Sequence, residues 1–112
     1  MSSASKRKGS SHERDVVDWL IEQGWIHAER RIAGDFKDRG DIAGIPKVVW
    51  ECKNEKRIDL ASYMKEVELE TANDKADVGV AVVKKRGTTN VGDYYAVMPL
   101  HMFAALIKKA GY

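Results

Sequence analysis

The chain has 112 residues, enough for one domain with a single modest core, and a net charge of +2. Its hydrophobic content of 44% is ordinary for a soluble globular protein, and no apolar run approaches the ~18 residues of a membrane span. The basic N-terminal stretch has no apolar segment, so no secretory signal is predicted. The lone Cys52 fits a reducing compartment, and we expect a cytoplasmic protein, in the host cytoplasm if a phage encodes it.

The first half of the chain predicts one helix and three short strands. Residues 1–8 are predicted as a basic, flexible arm, followed by a single domain at 9–112. Ser10 or Ser11 can cap a helix that runs to about Gly24. Val16, Val17, Leu20 and Ile21 form its expected buried stripe. The strands are expected at 25–30, 41–43 and 47–53, with a polar loop at 31–40 and a turn at 44–46.

The second half predicts two helices and two strands. Asp59 can cap a helix to about Asn73, and the apolar run 78–83 is typical of a buried strand. A turn at 87–93 precedes a strand at 94–98, and Pro99 begins the last helix. The expected apolar faces are Leu60, Tyr63, Met64, Val67 and Thr71 in the second helix, and Leu100, Phe103, Ala104 and Ile107 in the last. This order predicts an α/β domain in which helices flank a central mixed sheet.

The strand at 47–53 carries the first candidate site. Because side chains alternate along a strand, Glu51 and Lys53 share one face while Trp50 and Cys52 share the other. A hairpin turn can bring Asp41 beside Glu51, and two carboxylates this close repel one another unless a cation lies between them. Hard oxygen ligands at this spacing suit Mg²⁺, and Mn²⁺ is expected to substitute. Lys53 can then orient and help deprotonate an attacking water.

Glu13 is a third candidate carboxylate. Its spacing from Val16, Val17 and Leu20 puts it on the buried stripe of the first helix, one turn ahead of the apolar residues. Both acidic sites have an alternative interpretation. Ser10 and Glu13 match a capping box, and an acid and a base two residues apart on a strand are most often a solvated, salt-bridged face.

Basic residues are clustered, while six of the 17 acidic residues lie between residues 59 and 77. Such segregation favours one face for a polyanion, although solvated turns with basic tips are an even alternative for any single cluster. The candidate DNA-binding residues are Lys6, Arg7, Lys8, Arg30, Arg31, Lys56, Arg57, Lys84 and Lys85.

These motifs resemble a known group of nucleases. Asp41, followed after nine residues by Glu51-Cys52-Lys53, is similar to the PD-(D/E)XK nuclease superfamily, with Gly40 in place of its proline. The segment 8–14, the pair Gly24-Trp25, the arginines 30–31 and the triplet 40–42 resemble the archaeal-type Holliday-junction resolvases. The loop at 33–35 lacks the serine of those resolvases, and the last helix has no counterpart that we can match.

The resemblance implies a restriction-endonuclease-like core and a Mg²⁺-dependent endonuclease that resolves four-way DNA junctions as a homodimer. It implies that Glu13, Asp41, Glu51 and the Cys52 backbone carbonyl serve the metal, and that Lys53 serves the attacking water. Two alternatives stay open: a nuclease of the same superfamily for duplex, flap or single-stranded DNA, and a non-catalytic DNA-binding module on the same fold. Tyr63, Met64 and Val67 are candidates for the apolar surface of a dimer.

Overall fold

A computed structural model describes residues 3–31 and 38–112, with side chains from residue 7 onward. Within these ranges the chain forms three helices and five strands. In chain order they are α1 (Ser3–Glu22), β1 (Glu29–Arg30), β2 (Ile42–Ala43), β3 (Val48–Lys53), α2 (Leu60–Asn73), β4 (Val78–Val83), β5 (Tyr95–Val97) and α3 (Leu100–Lys109). No helix in the described ranges combines the length and the apolar character needed to cross a membrane.

The larger sheet is mixed and has the strand order β3-β4-β5. β3 and β4 pair in parallel, from Val48 opposite Val78 to Lys53 opposite Val83, and α2 makes the crossover between them. β5 pairs antiparallel with the far edge of β4. Every residue of β4 is buried, because this central strand has neighbours at both edges and packing on both faces.

Two apolar clusters hold the helices against this sheet. α1 packs on one side through Val16, Val17 and Leu20, which meet Trp50 and Cys52 of β3. On the other side, Tyr63 and Val67 of α2 are buried. The opposite orientations predicted for alternate residues of β3 are therefore confirmed: Cys52 packs in the α1 cluster, whereas the Lys53 ammonium lies over the Tyr63 ring of α2. Burial of these side chains, worth about 1.5–3 kcal/mol each, secures both layers.

The predicted α/β class, the mixed sheet and most element bounds are confirmed. Asp59 caps α2 as expected, with its Oδ1 accepting the N–H of Ser62, and Pro99 occupies the cap position of α3. The turn expected at 87–93 contains a short 3-10 helix, Val91–Asp93, in which Asn90 is the cap.

The beginning of α1 differs from the prediction. The helix begins at Ser3, so residues 3–8, expected as an arm, belong to its first turns. Ser10 lies inside the helix and its hydroxyl accepts a hydrogen bond from Arg30. The predicted cap at Ser10 or Ser11 is therefore wrong. The strand expected at 25–30 also shrinks to Glu29–Arg30, because the N–H groups of Trp25 and Ala28 close turns at the end of α1.

The pairing of β2 also differs from the predicted hairpin. β2 pairs antiparallel with β1, in a separate two-stranded sheet, rather than with β3. The connection from β2 to β3 has four residues, 44–47, which is longer than a two-residue hairpin turn, and Gly44 and Lys47 in it have positive φ, at 92° and 72°. Asp41, just before β2, still reaches the backbone of β3.

The predicted apolar face of α3 is rotated, whereas those of α1 and α2 are confirmed except for one residue each. Leu100 of α3 is 79% exposed and Phe103 is also exposed, whereas Met102 is buried with its sulfur accepting the Gly79 N–H at 3.3 Å. The predicted α3 stripe therefore points away from the sheet. Ile21 and Leu60 are likewise exposed at the edges of their helices.

Candidate active site

Backbone contacts hold Asp41 against β3. Its N–H donates to the Trp50 carbonyl at 2.7 Å, and its Oδ2 accepts the Cys52 N–H, also at 2.7 Å. The preceding Gly40 has φ of 95°, and a Cβ atom there would lie 2.8 Å from the Trp50 carbonyl oxygen. Only glycine allows so close an approach. The Asp41 carboxylate therefore lies beside Glu51, as the spacing of these residues predicts.

Glu51 is the centre of a group of carboxylates. Its side chain is buried. One carboxylate oxygen from each of Glu51, Asp38 and Glu70 lies within 4.8 Å of the other two. Burial raises the pKa of Glu51 to about 12, and the carboxylate of Asp41 is the next largest cause. Carboxylates this close share protons or a cation, because their charges repel in a poorly solvated site.

Glu70 is the most deeply placed member of this group. It is 1% exposed, and neither of its oxygens has a hydrogen-bond partner among the described residues. Burial raises its pKa to about 8, and contact with Asp38 adds to that effect. Its environment therefore disfavours an isolated negative charge.

Lys53 brings a positive charge to the same edge. Its Nζ donates to both carboxylate oxygens of Glu66 at 3.0 Å and lies 3.9 Å from Oε2 of Glu51. Burial opposes its charge, but the hydrogen bond to Glu66 and the negative charges of Glu51 and Glu66 outweigh it and raise the pKa of Lys53. Lys53 therefore remains an ammonium ion at neutral pH.

Glu13 reaches the site from α1. Its Oε1 accepts a hydrogen bond from Nε of Arg30 at 3.0 Å, and this contact replaces the capping box considered above. Burial and the charge of Asp41 raise the pKa of Glu13, against the opposing effect of Arg30. Glu13 thus belongs to the electrostatic surroundings of Asp41. The Cys52 carbonyl, expected as a further ligand, stays a prediction.

The predicted DNA-binding residues fall into several environments. A cleft of about 470 Å³ beside Lys53 is lined by Lys8, Gly9, Cys52, Asn54, Glu55 and Lys56. Arg30 is paired with Glu13, and Arg31 is half-buried with one guanidinium nitrogen donating to the Ile42 carbonyl. Exposed or partly exposed positions are occupied by Arg7, Arg57, Lys84 and Lys85. The side chain of Lys6 lies outside the described residues.

Three acidic residues near the site are not predicted by the sequence motifs: Asp38, Glu66 and Glu70. A signal existed for Glu70, because it lies three residues after Val67 and seven after Tyr63, on the buried stripe of α2. Glu13 on α1 is predicted by the same helical spacing. Asp38 lies in a loop and carries no comparable periodic signal.

The donor set fits a hard divalent cation. Asp38, Glu51 and Glu70 offer carboxylate oxygens alone, which Mg²⁺, Mn²⁺ and Ca²⁺ prefer as ligands. The unpartnered oxygens of buried Glu70 supply an unsatisfied acceptor at the same place. The three carboxylates can therefore bind a divalent cation.

No protein-family model, curated protein or solved structure matches this chain. The function must be argued from the geometry of these residues.

Proposed function

We propose that this protein is a metal-dependent DNA endonuclease, similar to the archaeal-type Holliday-junction resolvases. One observation carries the proposal: Asp41 is hydrogen-bonded to the Cys52 N–H, beside the buried carboxylate of Glu51, while Lys53 follows on the same face of β3. This combination of two carboxylates and a lysine is the pattern of the PD-(D/E)XK nucleases.

The order of elements supports a restriction-endonuclease-like core. α2 connects the parallel strands β3 and β4, and β5 extends the sheet antiparallel. The catalytic candidates lie at the end of β3, and α1 adds Glu13 from the side.

Asp41 and Glu51 would hold Mg²⁺ or Mn²⁺, with Glu13 and the Cys52 carbonyl as further ligands. When bound, the cation would polarise the scissile phosphodiester and stabilise the charge that develops on it. Asp41 is positioned for this role because its Oδ2 accepts the Cys52 N–H of β3, beside the carboxylate of Glu51. Glu13 stays near Asp41 through its contact with Arg30.

Lys53 would position the attacking water by donating a hydrogen bond to it. Its raised pKa keeps it charged, so it acts as a donor and a positive charge rather than as the base that removes the proton. Glu66, which accepts the hydrogen bonds of Lys53, is the nearby carboxylate that would accept that proton.

The substrate we propose is branched DNA, bound in the cytoplasm by a homodimer. Lys8 and Lys56 line the cleft beside Lys53, where they can contact backbone phosphates.

Paired nicks across a four-way junction require two sites related by a two-fold axis, which a closed dimer provides. Tyr63 and Val67, considered for the dimer surface, are buried under the sheet, so they are unsuited to that role.

The test is cleavage of a synthetic four-way junction and of its matched linear duplex, with Mg²⁺ and with EDTA. We expect Asp41→Asn to reduce cleavage by roughly a hundred-fold or more, the scale of losing one group that stabilises transition-state charge. In EDTA the same variant should bind the junction at least as tightly as the wild type, because a charge that repels phosphate is gone.

Asp18→Asn is the matched control, since Asp18 is exposed on α1 and outside the site. It should cut like the wild type. Near-normal cleavage by Asp41→Asn would refute the metal-site proposal, and equal cleavage of duplex and junction would refute junction specificity alone.

A further inference from the structure

We propose that Asp38, Glu51 and Glu70 form a binding position for a hard divalent cation, in which Glu51 is shared with the position at Asp41. The proposal deepens the function proposed above, on which it rests for the role of Glu51. It adds one ligand from the loop before β2 and another from α2.

The spacing of the three carboxylates is that of ligands to a single ion. One oxygen from each lies within 4.8 Å of the other two. Ca²⁺ binds oxygen at about 2.4 Å and Mg²⁺ at about 2.1 Å, so two ligands of one ion lie at most about 4.8 or 4.2 Å apart. The three oxygens therefore lie within the limit for two ligands of one Ca²⁺ ion, and a small side-chain adjustment accommodates Mg²⁺ or Mn²⁺.

Glu70 supplies an independent indication of a ligand. It is 99% buried, and both of its carboxylate oxygens lack a hydrogen-bond partner among the described residues. Lys53, the nearby ammonium, directs its hydrogen bonds to Glu66 instead. A carboxylate removed from water without donors is costly, and a cation at this position compensates for that cost.

The backbone around Asp38 is already fixed. The Asp38 carbonyl accepts a hydrogen bond from Nδ2 of Asn73 at 2.8 Å, and its Oδ1 accepts the Gly40 N–H at 3.1 Å. Asn73 is the last residue of α2, the helix that also carries Glu70. The same helix therefore presents one ligand and anchors the loop that presents another.

The chemistry of the position selects among metals. The three ligands are carboxylates, and the group contains neither histidine nor thiolate. Such a set favours Mg²⁺, Mn²⁺ or Ca²⁺ over softer ions.

The experiment is a calorimetric titration of Mn²⁺ into the full chain at neutral pH without DNA. We expect Glu70→Gln and Asp38→Asn each to weaken Mn²⁺ binding by about ten-fold or more. Glu68→Gln is the control, because Glu68 is exposed on the same helix and contacts His101 rather than the site. Its Mn²⁺ affinity should equal that of the wild type. Asp38 is exposed, so Asp38→Asn tests the ligand without disturbing the core.

Unchanged Mn²⁺ affinity in both Glu70→Gln and Asp38→Asn would overturn this inference. If these variants lose affinity but the wild type cuts no DNA, the cation position stands and the proposed nuclease function falls. If the wild type cuts DNA through Asp41 while both variants bind Mn²⁺ normally, the nuclease proposal stands and this cation position falls.

Discussion

At the scale of single residues, the chemistry of this protein is concentrated in carboxyl groups that burial keeps from water. Glu51 is 5% exposed, and the surrounding acids raise its pKa further. Lys53 offsets part of this charge through Glu66 and Glu51. The fold therefore maintains an acidic group that is unfavourable on its own, which is a frequent property of sites that bind a cation.

Glu70 predicts a pH-dependent loss of stability in the metal-free protein. Its pKa of about 8 lies above the ordinary value of 4.5, so folding favours the protonated form. The stabilisation is fully present below pH 4.5 and is lost as the pH rises toward 8. We expect Glu70→Gln, which is permanently neutral, to be about 4 kcal/mol more stable than the wild type at pH 8 in EDTA, the linkage cost of a pKa raised from 4.5 to about 8.

Urea unfolding at pH 4.5 and at pH 8 measures this difference. At pH 4.5 the two proteins should have nearly the same free energy of unfolding, because Glu70 is then protonated. Asp38, Asp41 and Glu51 face Glu70, and the charge of Glu70 helps to raise the pKa of Glu51, so the measured difference reports the coupled pair Glu51 and Glu70. A difference that is the same at both pH values would contradict the prediction.

At the scale of elements, the site depends on the close approach of one loop to one strand. Gly40 is in contact distance of the Trp50 backbone, and Asp41 makes two hydrogen bonds to β3 immediately afterwards. The helix α2 closes the other side through Glu66 and Glu70. A small change in the loop at Gly40 is therefore expected to displace the Asp41 carboxylate as well as to lower stability.

Gly40→Ala tests that dependence. The new Cβ would meet the Trp50 carbonyl oxygen at 2.8 Å, on a backbone whose φ of 95° already disfavours a side chain. We expect the free energy of unfolding to fall by about 1–3 kcal/mol, which is the usual cost of a strained backbone conformation. Cleavage should fall by about a hundred-fold, because displacing a catalytic group by ~1 Å is enough for such a loss.

Gly87→Ala is the matched control for Gly40→Ala. Gly87 also has a positive φ, at 82°, but a Cβ there would meet nothing within 4 Å. It should lose stability through backbone strain and keep its cleavage rate. Equal cleavage by the two alanine variants, measured on the folded fraction, would show that the loop does not position Asp41.

At the scale of the whole molecule, acidic residues that are close in the sequence do not all face the same surface. The acidic residues between 59 and 77 are split: Glu66 and Glu70 turn toward the site, whereas Glu68 and Asp77 pair with His101 and Lys109 at the surface. Lys8 and Lys56 line the same cleft although 48 positions separate them in the sequence. Lys53 also lines this cleft, which therefore lies beside the proposed cleavage site.

The cleft predicts how DNA binding responds to salt. Replacing Lys8 and Lys56 with Gln should weaken junction binding and reduce the slope of log affinity against log salt by about 0.9 for each lost phosphate contact. Lys108→Gln is the control, because Lys108 lies in the last turn of α3, where it complements the helix dipole. A double variant with the wild-type slope would exclude this cleft from the DNA interface.

The sequence by itself determined the features that depend on local spacing. Asp59 caps α2, the apolar run forms the central strand β4, and alternation separates Glu51 and Lys53 from Trp50 and Cys52. Each follows from interactions among residues near in the chain, or from the two-residue period of a strand. Most bounds of α2, β3 and β4 could be read in this way.

The tertiary structure alone decided which distant groups meet. Asp38 joins Glu51 and Glu70 because Asn73 of α2 holds its loop, a contact between residues 35 positions apart. The exposed side of α3 was likewise undetermined, because its 3.6-residue period defines a stripe but not which side the sheet covers. Such outcomes depend on how helices and loops pack on the sheet, and local periodicity carries no information about that packing.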